Sequence, residues 1–224
     1  MGHSMPSFDL YEYVGYIVPG SVLLACLMPL CPWIKKEFSG GTLANVGVFL
    51  IVTFLLGHFL HVVAHGIEKE LQLACEGGVY GEDAAVNYPG TILTAAELED
   101  LGTKIEQKFK IKLKGPITDY VEWCNITLRI EDAVNSAKHG ALLSTFIKDY
   151  GLYLGLTTAF GLVFVIYLPL AFAGTRPISV PPPQMQVRIV FLISLIGFCL
   201  SLYRMLYFAR LFTREQFLSF LAVM

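Results

Sequence analysis

The sequence predicts an all-α membrane protein with four transmembrane helices and a mainly helical cytoplasmic insert between spans two and three. Composition points there first. Hydrophobic side chains make up 55% of the 224 residues and charged ones only 15%, where an average soluble domain carries roughly 25% charge. Second, four segments are apolar enough to cross a bilayer, which takes about 20 residues because each residue of helix rises only 1.5 Å. Third, charge is segregated: Gly66 to Tyr150 holds fourteen of the 18 acidic and nine of the 16 basic residues. That stretch belongs in water. A formal charge of −2 advertises no direct nucleic-acid site. The five cysteines are scattered without a CxxC, so neither a disulfide framework nor a zinc knuckle is supported.

The predicted spans run from Tyr13 to Cys31, Leu43 to His65, Gly151 to Ala173 and Val187 to Tyr207, each free of Asp and Glu. They divide the chain into 1–65 (N-terminal segment and spans one and two), 66–150 (the insert) and 151–224 (spans three and four with a short cytoplasmic tail). The first run is not read as a signal peptide, because no Lys or Arg precedes it and no small-residue cleavage site follows. The myristoylation pattern fails at Pro6, and Met1 to Met5 are given no function. An even number of spans puts both termini and the insert on one side. Near the span ends that side carries Lys69, Lys138, Lys148, Arg204, Arg210 and Arg214, against Lys35, Lys36, Arg176 and Arg188 on the other. The excess makes it cytoplasmic and the protein a multi-pass component of the inner (cell) membrane. The sequon Asn125-Ile126-Thr127 has no consequence on that side. Tyr11, Tyr13, Tyr16, Tyr150, Tyr153, Tyr203 and Tyr207 fall near span ends, where amphipathic rings suit the headgroup layer, and Trp33 does the same outside. Between spans three and four, Pro177, Pro181, Pro182 and Pro183 make Arg176 to Gln186 a stiff external loop without catalysis.

Within the insert, Cys75 to Pro89 reads as a glycine-containing loop. Thr94-Ala95-Ala96-Glu97 is a capping box that starts a helix, with Leu98, Leu101, Ile105 and Phe109 on its apolar face. Lys110 to Lys114 alternates as a short edge strand or extended turn would, ending at Gly115-Pro116. Asp119 to Asp149 contains no proline and reads as one long helix running into span three. Lys104, Lys108, Lys110, Lys112 and Lys114, interleaved with Glu106, read as a solvated helix face or as a patch for anionic headgroups or an acidic partner.

The most unusual segment is Gly57-His58-Phe59-Leu60-His61-Val62-Val63-Ala64-His65. His58, His61 and His65 share one face of an apolar helix, and Glu68 continues it. Ionisable residues inside a membrane are functional candidates because each needs a partner or a wet cavity. Three readings stand: a metal or haem site, a proton-responsive stripe, and hydrogen-bonded histidines that pack span two against its neighbours or a sister subunit. No HExxH is present. Gly151, Gly155 and Ala159 form a small-residue seam for oligomerisation or for packing within one bundle. Pro19-Gly20 frees a backbone carbonyl in span one, as a gating hinge or a static bend. Asp119, Glu122, Glu131 and Asp132 include carboxylate neighbours that nothing marks as an acid and base pair. No phosphate loop, nucleophile elbow or Cys/His dyad is visible, so no catalytic residue and no cofactor is expected.

The run YVGYIVPGSVLL from Tyr13 to Leu24, followed by a polar insert with a Cys-containing helix at Trp123-Cys124-Asn125, resembles a loose group of small bacterial four-span proteins. Some are similar in layout to membrane components of anti-phage defence operons, such as the four-span subunit of the Kiwa system. The resemblance implies a homo-oligomeric sensor, scaffold or pore-forming effector in the lipid bilayer. Its cytoplasmic insert would dock a soluble protein partner. The alternatives are a membrane metal- or haem-binding enzyme or redox protein using the histidine stripe, or a small proton-responsive transporter.

Overall fold

The computed structural model describes residues 10–31, 34, 36, 43–76, 93–111, 120–136, 141–172 and 184–224. Among these the chain forms helices α1 (Leu10–Leu27), α2 (Leu43–Glu76), α3 (Ala95–Phe109), α4 (Tyr120–Ser136), α5 (Ala141–Phe172) and α6 (Gln184–Val223), and no strand. Segments of α2 (Asn45–Glu68), α5 (Leu143–Phe172) and α6 are long and apolar enough to cross a membrane. Among the described residues the chain is therefore all-helical, with three helices able to span. Helix α1, apolar from Tyr13 to Leu27, is shorter than these.

Several boundaries differ from the sequence expectation, for identifiable reasons. Helix α1 stops at Leu27, not Cys31: Pro29 has no N–H and disfavours a helical Met28. The chain there turns through bonds such as Leu30 N–H to the Leu27 carbonyl, 3.0 Å. Helix α2 continues to Glu76, so Cys75 is helical and the rest of the expected loop lies outside the described residues. Of the helix expected from Asp119 to Asp149, residues 120–136 and 141–149 are helical, and Asp119 lies outside the described residues. Helix α4 ends at Ser136 and α5 begins at Ala141, and the four residues between, with Gly140, lie outside the described residues. Lys110 is not extended; it takes the left-handed conformation (φ 60°) and its N–H caps α3 on the Glu106 carbonyl. The remainder of the alternating run, from Lys112 on, lies outside the described residues, as do the loop prolines and Trp33. Gln184 to Gln186, expected in that loop, open α6, and the expected short tail is the last part of the same helix.

The chain divides into two compact units. One comprises 1–66 and 148–205, the other 67–147 and 206–224. In the first, Leu23, Leu60, Ala159, Val163, Tyr167 and Val187 form the core. Helix α5 is its central element, with 39% of its apolar window buried against 17% in each of α2 and α6. An apolar helix must satisfy its hydroxyls internally. Thr53 donates to the Leu50 carbonyl, Thr157 to Tyr153, Thr158 to Leu154, Ser194 to Phe191 and Ser201 to Gly197, at 2.7–3.1 Å. Buried Tyr167 donates from Oη to the Cys26 carbonyl at 2.6 Å, one of the orphan acceptors at the end of α1. Helices α5 and α6 cross by placing a ring over a glycine from each side: a Cβ on Gly197 would stand 2.7 Å from Phe160, and one on Gly161 would stand 3.3 Å from Phe198.

The second unit is a helical bundle. Leu101 and Ile105 of α3, Ile126, Ile130 and Val134 of α4, Leu143 of α5, and Phe217 and Phe220 of α6 are all buried together with Leu93. Each such side chain taken fully from water contributes about 1.5–3 kcal/mol. The capping box is present. Thr94 N–H donates to Glu97 Oε2 at 2.6 Å and Glu97 N–H to Thr94 Oγ1 at 3.3 Å. The Thr94 N–H, and the Thr94 hydroxyl donating to the same carboxylate oxygen at 2.8 Å, hold the Glu97 carboxyl below its ordinary value. Because the folded value is the lowered one, the cap's contribution is present at neutral pH and disappears as pH falls through it. The tail of α6 is tied in by polar contacts. Gln216 Nε2 donates to the Thr127 carbonyl at 2.9 Å. Lys104 Nζ, 3.4 Å from Asp100, donates to the Leu221 carbonyl at 2.6 Å, where the end of a helix favours a cation. Of the lysine run, Lys104 is thus a fold contact, while Lys108 and Lys110 are exposed.

Candidate functional site

On α2, Thr53, Gly57, Leu60 and Ala64 recur at helical spacing and are buried. The histidines lie beside this face, and only His61 turns inward. His58 and His65 are exposed, His61 is half-buried, and the His61 and His65 rings are 6.2 Å apart. Glu68 follows on the same helix, half-buried.

What surrounds His61 comes from elements far away in sequence. From α1, Tyr16 stacks on His58 at 3.9 Å between centroids and meets His61 edge-on at 4.7 Å. Phe54 closes the cluster against His58 at 4.6 Å and Tyr16 at 5.7 Å. Each such aromatic pair adds about 0.5–1.5 kcal/mol beyond its buried area. From α5, Gly155 leaves room for the imidazole: a Cβ there would stand 2.9 Å from Pro19 Cγ and 3.2 Å from His61 Nε2. A Cβ on Gly151 would meet His61 Cε1 at an ordinary 3.7 Å. Ala159, fully buried, lies in the core beyond them. The three features singled out in sequence therefore meet at one junction. The histidine stripe supplies the His61 ring, Pro19 one wall, and Gly151 and Gly155 of the small-residue seam another.

Pro19 gives the junction its polarity. Having no N–H, it leaves the Gly15 carbonyl of α1 without its helical donor, and the Gly15 backbone is within hydrogen-bonding reach of His61. Among the described residues, Nε2 of His61 is buried without a hydrogen-bond partner, at a cost of about 1–3 kcal/mol. On either side of Pro19, at Tyr16 and Gly20, the α1 and α2 backbones nearly touch. A Cβ on Gly20 would collide with the Thr53 carbonyl, and one on Gly57 with the Tyr16 carbonyl. This reciprocal glycine crossing, with Tyr16 as the ring between histidines, was not identified from sequence. Its only local signal is a glycine on each of two apolar runs.

No group of three or more His, Cys, Asp or Glu side chains is arranged to hold a metal among the described residues. Cys26 and Cys31 are half-buried free thiols and Cys199 is exposed. Near Ala25, Met28, Pro29, Gln186, Ile189 and Val190, an open groove of about 350 Å³ has Gln186 as its one amide side chain, short of the convergent polar groups of a small-molecule site. Glu131 and Asp132 lie on α4, half-buried and exposed, while the side chain of Glu122 and all of Asp119 fall outside the described residues. The chain matches no protein-family model, no curated protein and no solved structure.

Proposed function

We propose that the chain is a non-enzymatic, homo-oligomeric protein of a bacterial cell membrane. It serves as a sensor, scaffold or pore-forming effector that docks a soluble protein through its insert, in keeping with the resemblance to antiviral defence components. In this reading α1 crosses as a fourth span, and the termini and the insert face the cytoplasm with the larger share of Lys and Arg. The observation that carries the reading is the way the chain is divided. Helices α2, α5 and α6 each contribute residues both to the apolar unit and to the polar helical bundle, so one set of continuous helices serves membrane and water. The apolar windows of α2 and α6 are mostly unburied, which leaves surface for lipid and for sister subunits. A second reading, a proton-responsive membrane protein, is favoured by the buried, unpartnered Nε2 of His61.

Native mass spectrometry of the protein released from nanodiscs tests the proposal by resolving protein, lipid and metal. A discrete assembly of four or more chains without stoichiometric metal or haem is expected. A monomer or dimer carrying stoichiometric metal or haem would overturn it and make the histidine stripe an active site.

A further inference from the structure

Opposite its buried face, α2 carries a regular exposed seam. Val48, Ile51, Leu55, His58 and Val62 are all exposed and follow one another at intervals of three and four residues, the spacing by which one helix packs along another. All five belong to the first compact unit. One of them is out of place in hydrocarbon. Within the span Asn45–Glu68, His58 stands about 20 Å of helix rise from one end and about 15 Å from the other. Its ring packs on Tyr16 and Phe54, yet its nitrogens have no hydrogen-bond partner among the described residues. Acyl chains offer neither donor nor acceptor, so an exposed imidazole at that depth is costly until something polar reaches it. The other spans differ. Helix α6 exposes Leu192, Ile196 and Leu200 with the weakly polar Cys199 thiol, and α5 exposes Val165 and Ile166, surfaces that lipid covers as well as protein does.

We propose that α2 is the helix through which copies of this chain associate, its seam lying along the same seam of a second copy, with His58 as the polar contact between them. The proposal rests on the homo-oligomeric membrane reading above and names the surface that such an assembly uses. Copies inserted the same way up and related by an axis normal to the membrane bring their α2 helices side by side and parallel, so residues at equal depth meet. A neutral imidazole has a donor at one nitrogen and an acceptor at the other. Two of them therefore complete each other in one hydrogen bond, as polar side chains do between membrane helices. A single polar residue in an apolar seam also fixes the register of the pair. Tyr16, stacked on His58 at 3.9 Å between centroids, backs the ring from within its own chain, leaving the exposed edge for the neighbour.

Disulfide trapping in membranes tests the seam, with single cysteines in an otherwise cysteine-free chain and copper phenanthroline as oxidant. Leu55→Cys and Val62→Cys are expected to give covalent dimers several-fold above Ile196→Cys. That control is fair because Leu55 is 61% exposed and Ile196 58%. Trapping through Ile196→Cys at or above the level of the two α2 variants would overturn the proposal, since the copies would then not meet along α2. The polar contact is tested by His58→Phe, which keeps a ring against Tyr16 and removes both nitrogens. It is expected to raise the protein-to-detergent ratio at half-assembly about three- to ten-fold. An unchanged ratio would contradict the role of His58. Failure of the homo-oligomeric reading itself looks different: the wild type would be monomeric by native mass spectrometry, and none of the three cysteine variants would be trapped.

Discussion

Gly57→Ala is expected to destabilise the purified protein by about 3 kcal/mol, the upper part of the range for forced overpacking. The added methyl would collide with the main-chain carbonyl of Tyr16, and a rotamer change cannot move a backbone. Helices α1 and α2 must separate, and Tyr16 then loses its contacts with His58 and His61. Gly20→Ala should behave alike, since it strikes the Thr53 carbonyl from the other side. The control is Gly15→Ala, where a Cβ meets nothing within 4 Å. Alanine is the better helix former by roughly 0.5–1 kcal/mol, so that variant should be neutral or more stable. Unfolding in a mild detergent, followed by loss of helical signal, measures all three. Equal midpoints for Gly57→Ala and Gly15→Ala would remove the close crossing from the account.

His61→Ala is expected to cost about 2–4 kcal/mol, His58→Ala about 1–2 kcal/mol through its two ring contacts, and His65→Ala no more than about 1 kcal/mol. The ordering follows from position. His61 is wedged among Tyr16, Pro19 and Gly155 and lies by the Gly15 backbone, whereas His58 and His65 are exposed. The same unfolding measurement separates them. Equal costs would mean that the stripe acts as a unit, as a metal or haem site would, and not as one packing histidine with two flanking rings. A companion pair probes the α5 wall. Gly155→Ala presses on Pro19 and His61, and Gly151→Ala finds an ordinary contact, so only the first should share the His61 penalty.

The membrane-crossing runs were legible because hydrocarbon imposes one requirement, a long apolar stretch, and hydropathy measures it directly. Helix ends were not, where residues serve a second core. Phe217 and Phe220 pack with Ile130 and Leu143 and turn what reads as a tail into part of the bundle. A hydropathy window averages such amphipathic turns away. The capping box was legible because its two partners are three residues apart. Of the junction, the periodicity of His58, His61 and His65 was visible, and so were Pro19 and the Gly151, Gly155 seam. That they meet was not, since pairing α1 with α5 is a long-range choice that local spacing does not encode. The same holds for Tyr167 reaching the Cys26 carbonyl.

The central claim is that α1 crosses the membrane and so places the N-terminus and the helical insert on one side. Single cysteines introduced into a cysteine-free chain, Ser7→Cys, Lys108→Cys and Ser179→Cys, test it with a maleimide that does not cross membranes. In intact spheroplasts only the Ser179→Cys variant should be labelled. In inverted vesicles the Ser7→Cys and Lys108→Cys variants should be labelled and Ser179→Cys protected. Labelling of Ser7→Cys from the side opposite to Lys108→Cys would contradict the account, because α1 would then not be a span.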